Sequence, residues 1–475
     1  MRQFSVFSDQ YSVFSIQYSV FSPVTRFTFH APRYTRFPNL QSPIPNPQSP
    51  IPNLQSPSSI PGPDDITRTE LPNGITVLAR ANFNSPSVMV SGYLSIGGLF
   101  DPDEKLGLSD FTAAALMRGT ARRDFQSIYD ALESAGASLG FNSATHTTSF
   151  GGQALCEDLP LLMELLAEAL REPSFPGQQV ARLRAQLLTG LAIRSQDTRE
   201  MASLAFDQMI YKDHPYSRPE DGYPETVQNI SREDLVSFHK SHYGPRGMVI
   251  AVVGAVAPGE AVRQVAEALG DWENPAQPAP PELPSVTPLL DILTQRVEIP
   301  GKIQSDIVMG VAGPPRRSSD FFAAALGNSV LGQFGMMGRI GESVRERAGL
   351  AYYAYSGVSG GLGPGPWSVA AGVNPDNIEQ AIELIREEIR RFVTEPVTAE
   401  ELCDSQSSFV GRLPLALESN AGVAGALLNL ERYDLGLDYY QRYADLVRAV
   451  TIEDVLATAQ KYLDPDKLAI AVAGP

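Results

Sequence analysis

Arg345 and Tyr352 make the clearest chemical suggestion in the chain. They stand seven positions apart in Gly341–Ser356, which reads GESVRERAGLAYYAYS. An arginine fork grips a peptide carbonyl or carboxylate through paired donors, and a tyrosine hydroxyl donates to an oxyanion as it forms. Glu342 to Arg347 are helix formers, Gly349 suits the left-handed residue that closes a helix, and AYYAYS is aromatic and strand-prone. The spacing predicts Arg345 on the last turn of a helix and Tyr352 at the start of the next strand. The alternative, a solvated helix-end arginine beside a packed strand tyrosine, stays open on so short a pattern.

The rest of the chain has to position such a pair. Its 475 residues exceed one ordinary core, and 43% hydrophobic residues suffice for more than one. A net charge of −17 excludes the basic footprint of a nucleic-acid binder and weakly favours basic ligands. Two cysteines, Cys156 and Cys403, give neither a disulfide framework nor a metal cluster. The longest strongly apolar run, Met248–Ala257, is far too short to span a membrane.

Residues 1–64 differ from the remainder of the chain. VFSDQYS is followed by VFSIQYS, and NLQSPIP by NPQSPIP, both with period seven but without coiled-coil spacing. Ser and Pro dominate, so a disordered extension is expected, preceding a true start further along. No apolar h-region marks a secretory signal, so a cytoplasmic location is expected, although the Ser- and Arg-containing, acid-poor stretch loosely resembles an organelle transit peptide.

From residue 65 onward strand and helix patterns mix. LPNGITVLAR places a strand after an Asn-Gly turn, SVMVSGYLSIGG a second, and MVIAVVG a buried-type strand. Helices are expected near Leu106–Met117, Phe125–Ala135, Leu159–Glu172, Pro176–Ser195 and Arg199–Tyr211. Helices in runs point to an α+β fold with mixed or antiparallel sheets rather than a doubly wound parallel sheet. Ile230–Gly254 then aligns without a gap on Val450–Gly474 at an offset of 220, matching Glu233, Asp234, Pro245, Ile250 and Gly254 with Glu453, Asp454, Pro465, Ile470 and Gly474. Ser231 and Thr451, both good N-caps, open the two copies. The match implies an internal duplication: one domain over 65–272, a Pro-rich exposed linker over 273–289, and a similar domain over 290–475.

This layout resembles the insulinase/pitrilysin family of zinc peptidases in its half-length form, which includes the mitochondrial processing peptidase subunits and their bacterial relatives. LPNGITVLAR is similar to the family's opening strand. GLSDFTAAALMRGT, Gly107–Thr120, is similar to the helix that normally carries H-x-x-E-H before a Gly-Thr pair. Arg345 and Tyr352 have the spacing of the family's C-domain Arg and Tyr.

The departure is as informative. Anchored on Gly119-Thr120, the zinc-ligand positions fall on Asp110 and Ala114, the catalytic glutamate on Ala113, and the distal ligand near Gly190. Zinc needs three protein ligands and an open position, and its water needs a base. These residues supply neither, so no metal is expected in this chain. His239 and His242, three apart, lie in the duplicated helix, whose other copy has Ala459 and Tyr462 there, and scaffold is the expected role. His146 alternates along a strand, His214 reads as a loop residue, and no G-x-S-x-G elbow supports a serine triad.

The resemblance thus implies the non-zinc subunit of a heterodimeric metalloendopeptidase, inactive alone. A homologous zinc-binding subunit would be its partner, and peptides or unfolded segments its substrate. The alternatives are a catalytically silent structural subunit, in which Arg345 and Tyr352 are relics, and a stand-alone peptide-binding homodimer.

Overall fold

Six consecutive buried residues, Val249–Gly254, form one strand of a first sheet, and Ala469–Gly474, also wholly buried, form its counterpart in a second. The computed structural model describes residues 60–475 apart from positions 334, 336 and 337. The first sheet contains β1 (Thr67–Glu70), β2 (Thr76–Ala81), β3 (Ser87–Leu94), β4 (Ser138–Ser143), β5 (Thr148–Leu155) and β6 (Val249–Gly254), in the order β1-β2-β6-β3-β5-β4. The second contains β7 (Leu293–Glu298), β8 (Ser305–Ala312), β9 (Ala351–Gly360), β10 (Pro364–Val373) and β11 (Ala469–Gly474), in the order β7-β11-β8-β10-β9. Helices cover both, and the fold is α+β.

The duplication is visible at atomic level. β6 runs parallel to β2 and antiparallel to β3, and β11 runs parallel to β7 and antiparallel to β8. The helices Arg232–His242 and Ile452–Tyr462 open on matching capping boxes. Ser231 N donates to Asp234 Oδ2 at 2.8 Å, and Asp234 N donates back to Ser231 Oγ at 3.1 Å. Thr451 and Asp454 repeat the exchange at 2.9 and 3.1 Å.

The halves are not two beads on a string. The Thr198–Ile210 helix, from the first half, sits on β8 and β11 of the second sheet, its Ala202, Ala205 and Phe206 packing with Val308 and Ala471. In return the Asn420–Arg432 helix sits on β3 and β6, its Val423, Ala424 and Leu427 sharing a core with Met89, Val249 and Val253 of those strands. The expected linker is also tied down. Gln277 is buried, donates to Arg246 O at 2.9 Å and accepts from Arg246 N at 3.0 Å, and Val286 and Leu289 pack against the shared core.

The repetitive stretch over residues 1–59 lies outside the described residues. The predicted extension to residue 64 runs too far, because its end is part of the fold. Pro61 and Gly62 are buried, Gly62 N donates to Asp65 Oδ1 at 2.8 Å, and Asp65 pairs with Arg80 at 2.6 Å. No helix among the described residues is long and apolar enough to cross a membrane.

Candidate functional site

Gly338 and Gly349, at φ +66° and +65°, bracket the segment that carries Arg345. Between them Ile340 and Val344 are buried anchors. Gly341–Arg347 winds as a π-helix, a five-residue backbone bond running from Ala348 N to Ser343 O at 3.2 Å. The sequence predicts the last turn of an ordinary helix here; the position is right and the winding is wider. Such turns are rare and recur at functional sites, because the extra residue re-aims side chains. Arg339 holds the start of the segment through a two-pronged pair with Glu401, at 2.8 and 2.6 Å. Glu401 belongs to the capping box that opens the Ala399–Ala416 helix. Arg345 is half-buried, and its Nε lies 3.5 Å from Glu346 Oε1.

Tyr352 comes at the start of β9, as the sequence predicts, and 84% of it is exposed. Its exposure has a local cause. Val373 of β10 stands opposite Ala351, but the next residue, Gly372, stands opposite Tyr353. Tyr352 is therefore the extra residue of a β-bulge, with no opposite number on β10. Bulges of this kind turn a side chain out of the pleat and are common beside active sites. No periodicity in AYYAYS reveals the bulge, and sequence reasoning misses it. β9, which Ala351 opens, is also the edge strand of its sheet, with the Phe321–Gly332 helix packed against it.

The helix Leu108–Ala115, where the resemblance places the zinc motif, packs against β4 and the Gly177–Arg194 helix, which carries Gly190. Ala113 is buried, and Ala114 and Gly190 bring no donor atoms. Asp110 lies within a group of acids. Enclosure by the protein pushes its carboxyl up to about 7, with Asp221, Glu220 and Asp101 adding repulsion, although part of its surface still touches solvent. Its neighbours are engaged: Asp221 pairs with Arg194, Glu220 accepts from Thr145 N and Oγ1 at 2.6 Å each, and Asp101 accepts from Gly107 N and Ser109 N at 2.9 Å. Burial also raises Asp101 and Asp207 to about 7. One carboxyl beside two alanines and a glycine does not fit a zinc ion. Among the described residues no group of three or more His, Cys, Asp or Glu is placed to hold a metal.

The histidines have structural surroundings. His239 Nε2 contacts Leu170 O at 2.8 Å, and its ring lies against Phe175 and Tyr243. His242 stacks on Phe238 with ring centres 4.5 Å apart. Burial lowers both pKa values, in keeping with rings packed against aromatic neighbours. His146 Nε2 lies 2.5 Å from Tyr216 Oη, and burial pushes it down to about 4. His214, expected in a loop, is buried and accepts from Tyr216 N at 3.1 Å through Nδ1.

Fold, duplication and helix define a peptidase-type scaffold, and comparison with known proteins gives its family. Residues 76–219 match the model of insulinase (peptidase family M16), and residues 229–408 match the peptidase M16 inactive domain. The chain belongs to the insulinase/pitrilysin family, M16, in its half-length two-domain form. An uncharacterized zinc protease of Streptomyces coelicolor is 26% identical over 86% of this chain and 90% of its own length. The probable mitochondrial-processing peptidase subunit beta of Arabidopsis thaliana is 29% identical over 42% of this chain and 37% of its own. Among solved structures, the peptidase M16 inactive domain from Pseudomonas fluorescens superimposes with a TM-score of 0.79 at 26% identity, covering 86% of this chain and 98% of that one.

Proposed function

We propose that this chain is the non-zinc subunit of a heterodimeric metalloendopeptidase acting on peptides or unfolded segments. Its partner is a homologous zinc-binding chain, and this chain needs no metal of its own. Tyr352 donates its hydroxyl to the oxyanion that forms at the scissile carbonyl, and Arg345 holds a neighbouring substrate carbonyl. The observation that carries the reading is Tyr352 itself: an exposed tyrosine at a β-bulge on the edge strand of its sheet, directly after a π-helical turn bearing the arginine. A packing tyrosine has no need of such a place. The retained scaffold helix without ligands favours division of labour between two chains. A peptide can add to an edge strand by backbone hydrogen bonds.

The second reading, a silent structural subunit, draws on Arg345 Nε resting against its neighbour Glu346. Purification of the native complex separates the two. Expected are a homologous second chain, one zinc per heterodimer, and peptide cleavage by the pair but not by this chain alone. One zinc per chain with chelator-sensitive cleavage by the isolated chain sinks the proposal.

A further inference from the structure

Tyr353, the residue after the bulge, is bonded across its sheet. Asp306 on β8, Gly372 on β10 and Tyr353 on β9 stand opposite one another in a single row across three strands. The Tyr353 hydroxyl donates to Asp306 Oδ1, two strands away. It can do so because the middle residue has no side chain: a Cβ at Gly372 would come 2.6 Å from Tyr353 Cε1 and 2.7 Å from Gln304 Nε2. The Tyr353 ring therefore lies across the glycine.

Asp306 is 2% exposed and well supplied with donors. Thr198 donates to its Oδ2, and Gln304 Nε2 lies 3.2 and 3.3 Å from its two oxygens. Thr198 is the first residue of the helix that the first half lends to this sheet. In the same turn Arg199 donates to Tyr355 Oη and lies over the rings of Tyr353 and Tyr355, at 5.6 and 5.4 Å. A buried carboxyl with these partners fixes which residue of β9 faces Gly372, and a side-chain pin of this kind sets register where pleat alone leaves it loose. With Tyr353 pinned in the row and Ala351 opposite Val373, Tyr352 is the residue left over.

We propose that Tyr353 is a positioning residue: its bond to Asp306 across Gly372 pins the register of β9 and so holds Tyr352 in the bulge, aimed at substrate. This rests on the reading that Tyr352 serves the reaction. It also ties the aim of Tyr352 to the seating of the borrowed helix.

The test uses the reconstituted complex with Tyr353→Phe, Tyr352→Phe and the double variant. Misplacing a reacting group by about 1 Å can cost up to a hundredfold in rate, so Tyr353→Phe is expected to lower kcat about tenfold or more with KM little changed. In the Tyr352→Phe background the same change is expected to cost nothing further, because there is no hydroxyl left to position. Equal losses in both backgrounds, or no loss from Tyr353→Phe when Tyr352→Phe is impaired, overturns the positioning role and leaves the function of Tyr352 standing. If Tyr352→Phe alone is silent, the functional reading falls, and the positioning role falls with it. On the free chain, amide exchange at residues 351–353 is expected to quicken several-fold in Tyr353→Phe while the rest of the sheet holds; unchanged exchange there also overturns it.

Discussion

Asn82 and Asn420 are joined side chain to side chain by a hydrogen bond of 2.7 Å, although 338 positions separate them in the chain. Asn420 also donates to Ser87 O at 3.2 Å. It opens the Asn420–Arg432 helix, which lies on the first sheet, while the Thr198–Ile210 helix lies on the second. Each half thus completes the other's core. Cutting the connection in its exposed stretch Pro278–Glu282 is therefore expected to leave a complex that elutes as one particle in native buffer and separates only in denaturant. Native elution of two separate halves refutes the shared core.

The matched capping boxes make a second prediction. Ser231→Ala and Thr451→Ala each remove one side-chain acceptor from a helix start and should each cost about 1 kcal/mol of stability. The two helices pack into different cores, Leu235 and Phe238 in one and Val455 and Ala459 in the other, so the two losses should add in the double variant. Denaturant midpoints measure this, and a negligible effect at either site removes the physical basis for treating the boxes as equivalent.

These boxes also show what a sequence discloses. Ser231 with Asp234 and Thr451 with Asp454 are local signals, readable because a cap and its partner lie three residues apart. The strand Val249–Gly254, the helix closing at Gly349 and the strand starting beside Tyr352 are local in the same sense. The π winding around Arg345 is less so, since the helix formers in the segment suit either winding. The bulge at Tyr352 is set by Asp306, 47 positions away from Tyr353, and by the bare backbone of Gly372. The reciprocal seating of two helices and the buried ends of the Pro-rich linker depend on tertiary packing that no window of sequence contains. The candidate pair is legible by spacing; its support is not.

Asp110 gives a pH prediction. Its folded pKa, about 7, lies above the ordinary carboxylate value, so the folded state holds the proton more tightly than the unfolded chain. Ionising it costs stability. The cost is absent below the unfolded value, grows as pH rises from about 4 to about 7 and is then constant. Asp110→Asn is expected to stabilise the protein at pH 8 by about 2 kcal/mol and to be neutral near pH 4, given about 1.4 kcal/mol per pKa unit and some relief from solvent. Thermal melts of both proteins across that range check it. A gain that is the same at pH 4 and pH 8 assigns the effect to packing instead.

The final prediction concerns Tyr352 and Arg345 themselves. Tyr352→Phe removes one hydroxyl from a side chain that is 84% exposed and leaves the bulge and its neighbours in place. Nothing buried loses a partner, so the unfolding midpoint should barely move. If the hydroxyl meets an oxyanion, turnover by the reconstituted complex should fall about a hundredfold to a thousandfold, the usual loss for one oxyanion donor. Arg345→Ala should weaken substrate binding as well as turnover, since it deletes a fork of donors together with a charge. Its surface pair with Glu346 at 3.5 Å contributes little to stability, so folding should again be intact. Steady-state cleavage of a peptide by wild-type and variant complexes, with gel filtration to confirm assembly, separates the possibilities. Full turnover in Tyr352→Phe, with the complex intact, returns the chain to the class of structural subunits.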